Sequence, residues 1–167
     1  GYIIGFLIAV AVVGGVNSAV HGLYNVIAGP SEPKFYKDVG AYEIINEMIE
    51  GVQPPRKNEK LIDFFKQNKG VRIYGTVAGV KIDGNTPVVT IVPFLKYDST
   101  NDHQSRMAQK GIAIQAENKE TIEAMKKLRR GDFVYISSTY LGFNDDDDDY
   151  IHFAGFKVEK EATPNFK

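Results

Sequence analysis

Hydrophobic and polar positions alternate with three different rhythms along the chain, and each rhythm predicts a different kind of structure. From Tyr2 to Val16 the residues are apolar except for glycines, and no Asp, Glu, Lys or Arg occurs before Glu32. Asn17, Ser18, His21 and Asn25 make the stretch more polar toward Ala28, and Gly29-Pro30 ends it. A helix from Tyr2 to Ala28 would be roughly 40 Å long at 1.5 Å per residue. From Lys34 to Gly51 the apolar residues Phe35, Val39, Tyr42, Ile45, Met48 and Ile49 recur at helical steps, which predicts a helix with these residues as its buried stripe. Gln53-Pro54-Pro55 enforces an extended turn. Asn58 is placed to cap a second helix that buries Leu61, Ile62, Phe64 and Phe65 and ends at Asn68-Lys69-Gly70.

At Val71 the period drops to two. Val71, Ile73, Gly75 and Val77 fall on one face of a strand, and Arg72, Tyr74 and Thr76 on the other. Asp83-Gly84-Asn85 predicts a hairpin into a strand from Pro87 to Leu95. A polar loop, Tyr97 to Lys110, leads to a strand from Gly111 to Glu117. Asn118 caps a helix reaching Arg130 with Ile122, Met125 and Leu128 inward. Strands follow from Phe133 to Leu141 and from Tyr150 to Val158, separated by the loop Asn144 to Asp149.

The predicted fold class is α+β, mostly β. The expected domains are an apolar helix over residues 1–29, a helical connector over 30–70, a five-stranded barrel over 71–161 with a helix between strands three and four, and a tail over 162–167. That strand–helix order resembles the OB-fold, a partly open Greek-key barrel. The resemblance runs from Val71 to about Glu161 and is carried by Val71-Arg72-Ile73-Tyr74-Gly75-Thr76-Val77, similar to an OB opening strand with its bend glycine. It is also carried by Leu128-Arg129-Arg130-Gly131-Asp132-Phe133-Val134-Tyr135-Ile136, similar to the passage from helix to fourth strand. With its apolar start, the whole chain resembles membrane-tethered tRNA-anti-like OB proteins. The alternative this supports is a single-pass membrane-anchored module that binds a protein, an oligosaccharide or nucleic acid, or an accessory subunit of a membrane complex.

The apolar start supports a different reading, which takes precedence over the membrane-held module. Gly5 and Ala9 are spaced by four, as are Ala11, Gly15 and Ala19, and Gly14, Ser18 and Gly22. Residues four apart share a helix face, and small residues there let helix backbones approach closely. This predicts self-association through the N-terminal helices. The segment resembles that of pilin-like filament subunits, although Gly5 stands where usual pilins carry Glu. That resemblance implies a structural subunit with the barrel on the outside, at the cell envelope or extracellular surface, membrane-inserted before or during assembly. The start at Gly1, in place of Met, fits an expectation of leader removal.

Charge narrows the chemistry. The net charge is -1, and from Val71 onward 13 Lys plus Arg stand against 14 Asp plus Glu. Nucleic-acid binding needs concentrated positive charge, so it is not expected. Arg72, Tyr74, Lys81, Lys96 and Tyr97 form the candidate ligand face, while Lys126, Lys127, Arg129 and Arg130 read as a solvated helix end. The run after Phe143 offers Asn144, Asp145, Asp147 and Asp149 as oxygen ligands for Ca2+. It lacks the spaced carboxylates and glycine of an EF-hand loop, so a solvated loop is the plainer expectation and no cofactor is required. There is no cysteine, the histidines 21, 103 and 152 lack metal-ligand spacing, and no nucleophile elbow or phosphate loop occurs. No catalytic residue is expected.

Overall fold

The structure, a computed structural model, describes residues 29–50, 58–94, 98, 100–143 and 150–162. The chain divides after Ser31 into two units, and every described element belongs to the second. The predicted helix from Tyr2 to Ala28, with the assembly residues Gly5, Ala9, Ala11, Gly14, Gly15, Ser18, Ala19 and Gly22, lies outside the described residues. So do Lys96, Tyr97, Asn144, Asp145, Asp147 and Asp149. Among the described residues, no helix is long and apolar enough to cross a membrane.

The elements run β1 (Lys37–Gly40), α1 (Ala41–Glu50), α2 (Glu59–Gln67), β2 (Val71–Asp83), β3 (Thr86–Val92), α3 (Asp102–Ala108), β4 (Gly111–Ala116), α4 (Lys119–Lys126), β5 (Phe133–Phe143) and β6 (Tyr150–Glu161). The sheet order is β1-β2-β3-β4-β6-β5, and β5 pairs back onto β2. Removing β1 leaves a closed five-strand ring whose last two strands exchange places, with α4 between its third and fourth strands. That is the OB-like barrel. Alternation fills it: Ile73, Val89, Ile91, Ile112, Ile114, Val134, Ile136, Ile151 and Phe153 are all fully buried. Phe65 of α2 enters the core, stacked on Tyr140 and edge-on to Phe153, each at 5.2 Å.

Gly75 is the bend. β2 pairs with β1 up to Tyr74 and with β3 from Thr76. A Cβ on Gly75 would sit 2.6 Å from Ile91 Cγ2, 2.9 Å from Ala41 Cβ and 2.9 Å from the Val92 carbonyl oxygen. The backbone therefore approaches α1 and β3 more closely than any side chain permits.

Several expectations need correction. The sheet has six strands, because the start of the expected Lys34–Gly51 helix is the strand β1, paired in parallel with β2. The helix begins at Ala41, where Glu43 Oε1 accepts from the Gly40 N–H at 2.6 Å, half of a capping box. Phe35 and Tyr42 leave the supposed buried stripe and are 86% and 52% exposed. The loop from Tyr97 to Lys110 contains α3, capped by Asn101 through the Gln104 N–H and anchored by buried Met107. Asn58 precedes α2 in a left-handed conformation and makes no side-chain cap. Asn118 does cap α4, accepting from Thr121 N–H at 2.8 Å. That helix stops at Lys126, short of Arg130, because Asp132 takes the Arg129 N–H and Gly131 N–H donates to the Val77 carbonyl.

Candidate partner-binding face

On the outer side of the barrel, register brings four strands into cross-rows. Asp38, Arg72, Ser137 and Lys157 form one row, and Gly40, Tyr74, Tyr135 and Glu159 the next. Thr76, Phe133 and Glu161 form the third. Directly opposed side chains on such a sheet are within touching distance.

Arg72 is the centre. Its Nε donates to Asp38 Oδ1 at 2.8 Å and its Nη2 to Asp38 Oδ2 at 3.1 Å, a two-pronged pair. Nη1 donates to Glu159 Oε1 at 2.8 Å, and the guanidinium lies 4.5 Å from the Tyr135 ring centre. The hydrogen bonds from Arg72 hold the Asp38 carboxyl below its ordinary range, against a smaller opposing effect of burial. Beside it, Tyr74 lies 5.3 Å from Tyr135 and 6.5 Å from Phe133, and Phe133 meets Tyr135 edge-on at 5.9 Å. All three rings are half-buried. Burial first, and then the negative charge of Glu43, pushes the Tyr74 phenol up.

Next to this face is a cleft of about 470 Å³, lined by β1, α1, α2 and Tyr74. Its lining is apolar at Ile44, Leu61 and Phe64 and carries charge of both signs, Glu43 and Glu47 with Lys37 and Lys60. Lys37 lies 5.7 Å from the Phe64 ring centre.

Of the residues predicted for a ligand face, the structure brings Arg72 and Tyr74 together. Lys81 lies further along the same strand, exposed, beyond a bulge between Val77 and Gly79 that reverses which residues point out. Sequence reasoning missed Asp38, Phe133, Tyr135 and Glu159. Tyr135 and Phe133 were in reach, since their alternation with buried Val134 and Ile136 marks them as outward. Asp38 and Glu159 depend on which strands become neighbours, and no local signal carries that.

Among the described residues, no three His, Asp or Glu side chains gather as a metal site. Lys126, Lys127, Arg129 and Arg130 are exposed, as a solvated helix end should be. His103 packs near the Tyr42 ring at 6.4 Å, and His152 is exposed on β6.

The sequence matches no protein-family model and no curated protein. Solved structures match at low identity. One is assigned as an aspartyl-tRNA synthetase from Leishmania major Friedlin, with 14% identity and a TM-score of 0.45, covering 78% of this chain and 21% of that chain. The chain thus spans about a fifth of the synthetase's length. Another is the OBody AM3L09 bound to hen egg-white lysozyme, with 13% identity and a TM-score of 0.41, covering 55% of this chain and 79% of that one. A third is yeast Stn1 and Ten1, with 11% identity and a TM-score of 0.39, covering 83% of this chain and 70% of that one. These are likenesses of fold only, and the OB-like assignment stands on the strand order and the closure of β2 on β5.

Proposed function

We propose that the chain is a non-enzymatic binding module whose OB-like barrel engages a protein partner through the outer face of β1, β2, β5 and β6. One observation carries this reading. The central cation of the face, Arg72, is already matched by two carboxylates, while three aromatic rings beside it stay partly open. A phosphate backbone would have to displace Asp38 and Glu159 to reach that cation, and it gains little elsewhere on a chain of net charge -1. Protein interfaces favour the opposite arrangement, with tyrosine and arginine anchors held rigidly among satisfied charges.

The apolar segment over residues 1–29 would hold this module at a membrane, within the cell envelope. Photo-crosslinking tests the reading. Tyr135 replaced by p-benzoylphenylalanine in the full chain should yield discrete protein adducts in the cells that make it. The same replacement at exposed Lys126 on α4 should not. Absence of adducts at Tyr135, or adducts to nucleic acid, would overturn it.

A second reading, a pilin-like structural subunit assembling through its N-terminal helix, is favoured by the four-residue spacing of Ala11, Gly15 and Ala19. On that reading, native preparations contain regular fibres under the electron microscope, and Gly15→Leu abolishes them because a large side chain separates close-packed backbones. Fibres that survive Gly15→Leu would remove the packing argument.

A further inference from the structure

Residues 33–37 and the turn at 67–70 lie far apart in sequence and are locked side by side where β1 and β2 begin. Lys37 N–H donates to the Gly70 carbonyl at 3.0 Å, and Thr139 Oγ1 donates to the Lys69 carbonyl at 2.7 Å. Asn68 Nδ2 donates to the Phe64 carbonyl at 2.9 Å. A Cβ on Gly70 would collide with the Phe35 carbonyl and the Pro33 side chain, so the two backbones meet more closely than a side chain permits.

These two segments line a hollow of about 420 Å³ that carries Lys34, Lys37 and Lys69 and, among the described residues, no Asp or Glu. All three lysines are exposed. Phe35, on the same stretch, is 86% exposed, more than any other bulky apolar side chain among the described residues. The acids adjoining in sequence are Glu32 and Asp38. Arg72 holds the Asp38 carboxylate. Burial first, and then the charge of Glu32, raises the Tyr36 phenol, which puts Glu32 close by. Glu32 offsets Lys37, whose ammonium also lies 5.7 Å from the Phe64 ring centre. Lys34 and Lys69 remain, with no carboxylate partner among the described residues.

Chain length selects the kind of anion. Lys34 follows Ala28, the end of the apolar segment, by six residues, which extended chain spans in at most about 22 Å. Two lysines are too few to hold a nucleic acid from solution, where affinity comes from many phosphate contacts made together. A surface kept within reach by the chain itself needs no such affinity, because the tether fixes a high local concentration. An exposed aromatic ring next to lysines suits that surface, the ring among acyl chains and the ammonium groups on phosphates.

We propose that Lys34 and Lys69, with Phe35 beside them, form a docking patch for anionic lipid headgroups of the bilayer that holds residues 1–29. The proposal rests on the membrane-held reading of that segment and deepens it by naming the lipid chemistry the chain meets.

The chain contains no Trp, so Phe35→Trp creates a single fluorescent reporter. The full-length variant is placed in nanodiscs of phosphatidylcholine, or of phosphatidylcholine mixed with phosphatidylglycerol, with brominated acyl chains as the quencher. Each lysine beside an anionic surface is worth about fivefold in partitioning, so the two together should raise the docked-to-free ratio about 25-fold. Quenching should be strong in the anionic discs and weak in the neutral ones. Lys34→Gln combined with Lys69→Gln should bring the anionic discs to the neutral level, and both sites are exposed, so the fold should not change. Salt at about 1 M should do the same, since it shortens the screening length to about 3 Å. Ile82→Trp, at the far end of β2 and 51% exposed, should stay unquenched in every disc. Equal quenching in both compositions, equal quenching at both reporter positions, or quenching that survives the double lysine variant would overturn the patch. Loss of quenching to millimolar glycerol phosphate would mean a free-phosphate site, and loss to a micromolar oligonucleotide a nucleic-acid site; either result would overturn the lipid assignment. A chain that enters the discs with position 35 unquenched would overturn the patch alone. A chain that stays out of the discs would remove the membrane-held reading as well.

Discussion

Replacing Arg72 by Ala removes the side chain that ties Asp38 of β1 to the outer face of the barrel, and its cost can be worked from the geometry. Three interactions disappear: the two-pronged pair with Asp38, the single bond to Glu159 and the stack on Tyr135. The side chains of Arg72, Asp38 and Glu159 are 31%, 53% and 30% exposed, so water screens both ion pairs. Each pair is then worth at most about 1 kcal/mol. The ring contact at a partly open site adds about 0.5–1 kcal/mol. The sum is about 2 kcal/mol, or a fall in Tm of roughly 4–8 °C for a chain of this size. Near-UV circular dichroism of the full chain in mild detergent reads the melting. Hydrogen exchange should locate the loss, with faster exchange at the amides of Lys37 and Val39 and little change at Val134 and Ile136. Arg72→Lys keeps the charge but not the fork and should recover about half of the loss. In a double-mutant cycle with Asp38→Ala the coupling should be about 0.5–1 kcal/mol. A coupling below about 0.3 kcal/mol, or unchanged exchange at Lys37 and Val39, would refute the view that this arginine fastens the strand.

Three further predictions test the frame that holds the face. Gly75→Ala should cost about 1–3 kcal/mol by urea unfolding, because two of the three atoms its Cβ would meet, on Ala41 and Val92, cannot swing away. Asn118→Ala should cost about 1–2 kcal/mol, since the side chain caps α4 and its amide also donates to the Phe156 carbonyl at 2.9 Å. Asn118→Asp keeps the cap and should lose less. Stability should fall on acidification: Arg72 lowers the folded-state pKa of Asp38, and the Arg129 N–H with Lys160 lowers that of Asp132. Such groups stabilise the fold fully above the unfolded value of about 3.9, and the contribution is lost as pH falls through their lower folded values. Melting measured from pH about 6 downward should show that loss, and Asp38→Asn should flatten it.

Alternation made the barrel legible. Val71, Ile73 and Val77 against Arg72 and Tyr74 already separate inside from outside, and Asp83-Gly84-Asn85 and Asn118 mark a turn and a cap at the right places. β1 was hidden for a physical reason. Phe35, Val39 and Tyr42 lie at helical spacing, yet Lys37–Gly40 is four residues long and exists by pairing with β2. Nothing local signals a strand whose stabilisation comes from a neighbour far along the chain. By contrast, α3 was announced by Asn101 and Gln104 in capping-box spacing, a signal outweighed by the polar residues around it. The site divides in the same way. Arg72 and Tyr74 are outward by alternation, but whether that arginine is a free cation depends on Asp38 and Glu159, which only tertiary pairing supplies.

That dependence changes what the face can recognise. A lone arginine and tyrosine on an OB-like sheet would suit phosphate and base, because the charge is available and the ring can stack. With both carboxylates in place, the guanidinium becomes a rigid planar element, three of its five N–H donors engaged and its face held against Tyr135. What remains open is aromatic surface bordered by fixed, mutually neutralised charge. Such a surface gains little from a polyanion, and its preorganised anchors lose little entropy when a protein covers them. Release of β1 would undo this, since Asp38 leaves with the strand and Arg72 then keeps only Glu159. The strand that lines the cleft therefore also sets the charge state of the face beside it.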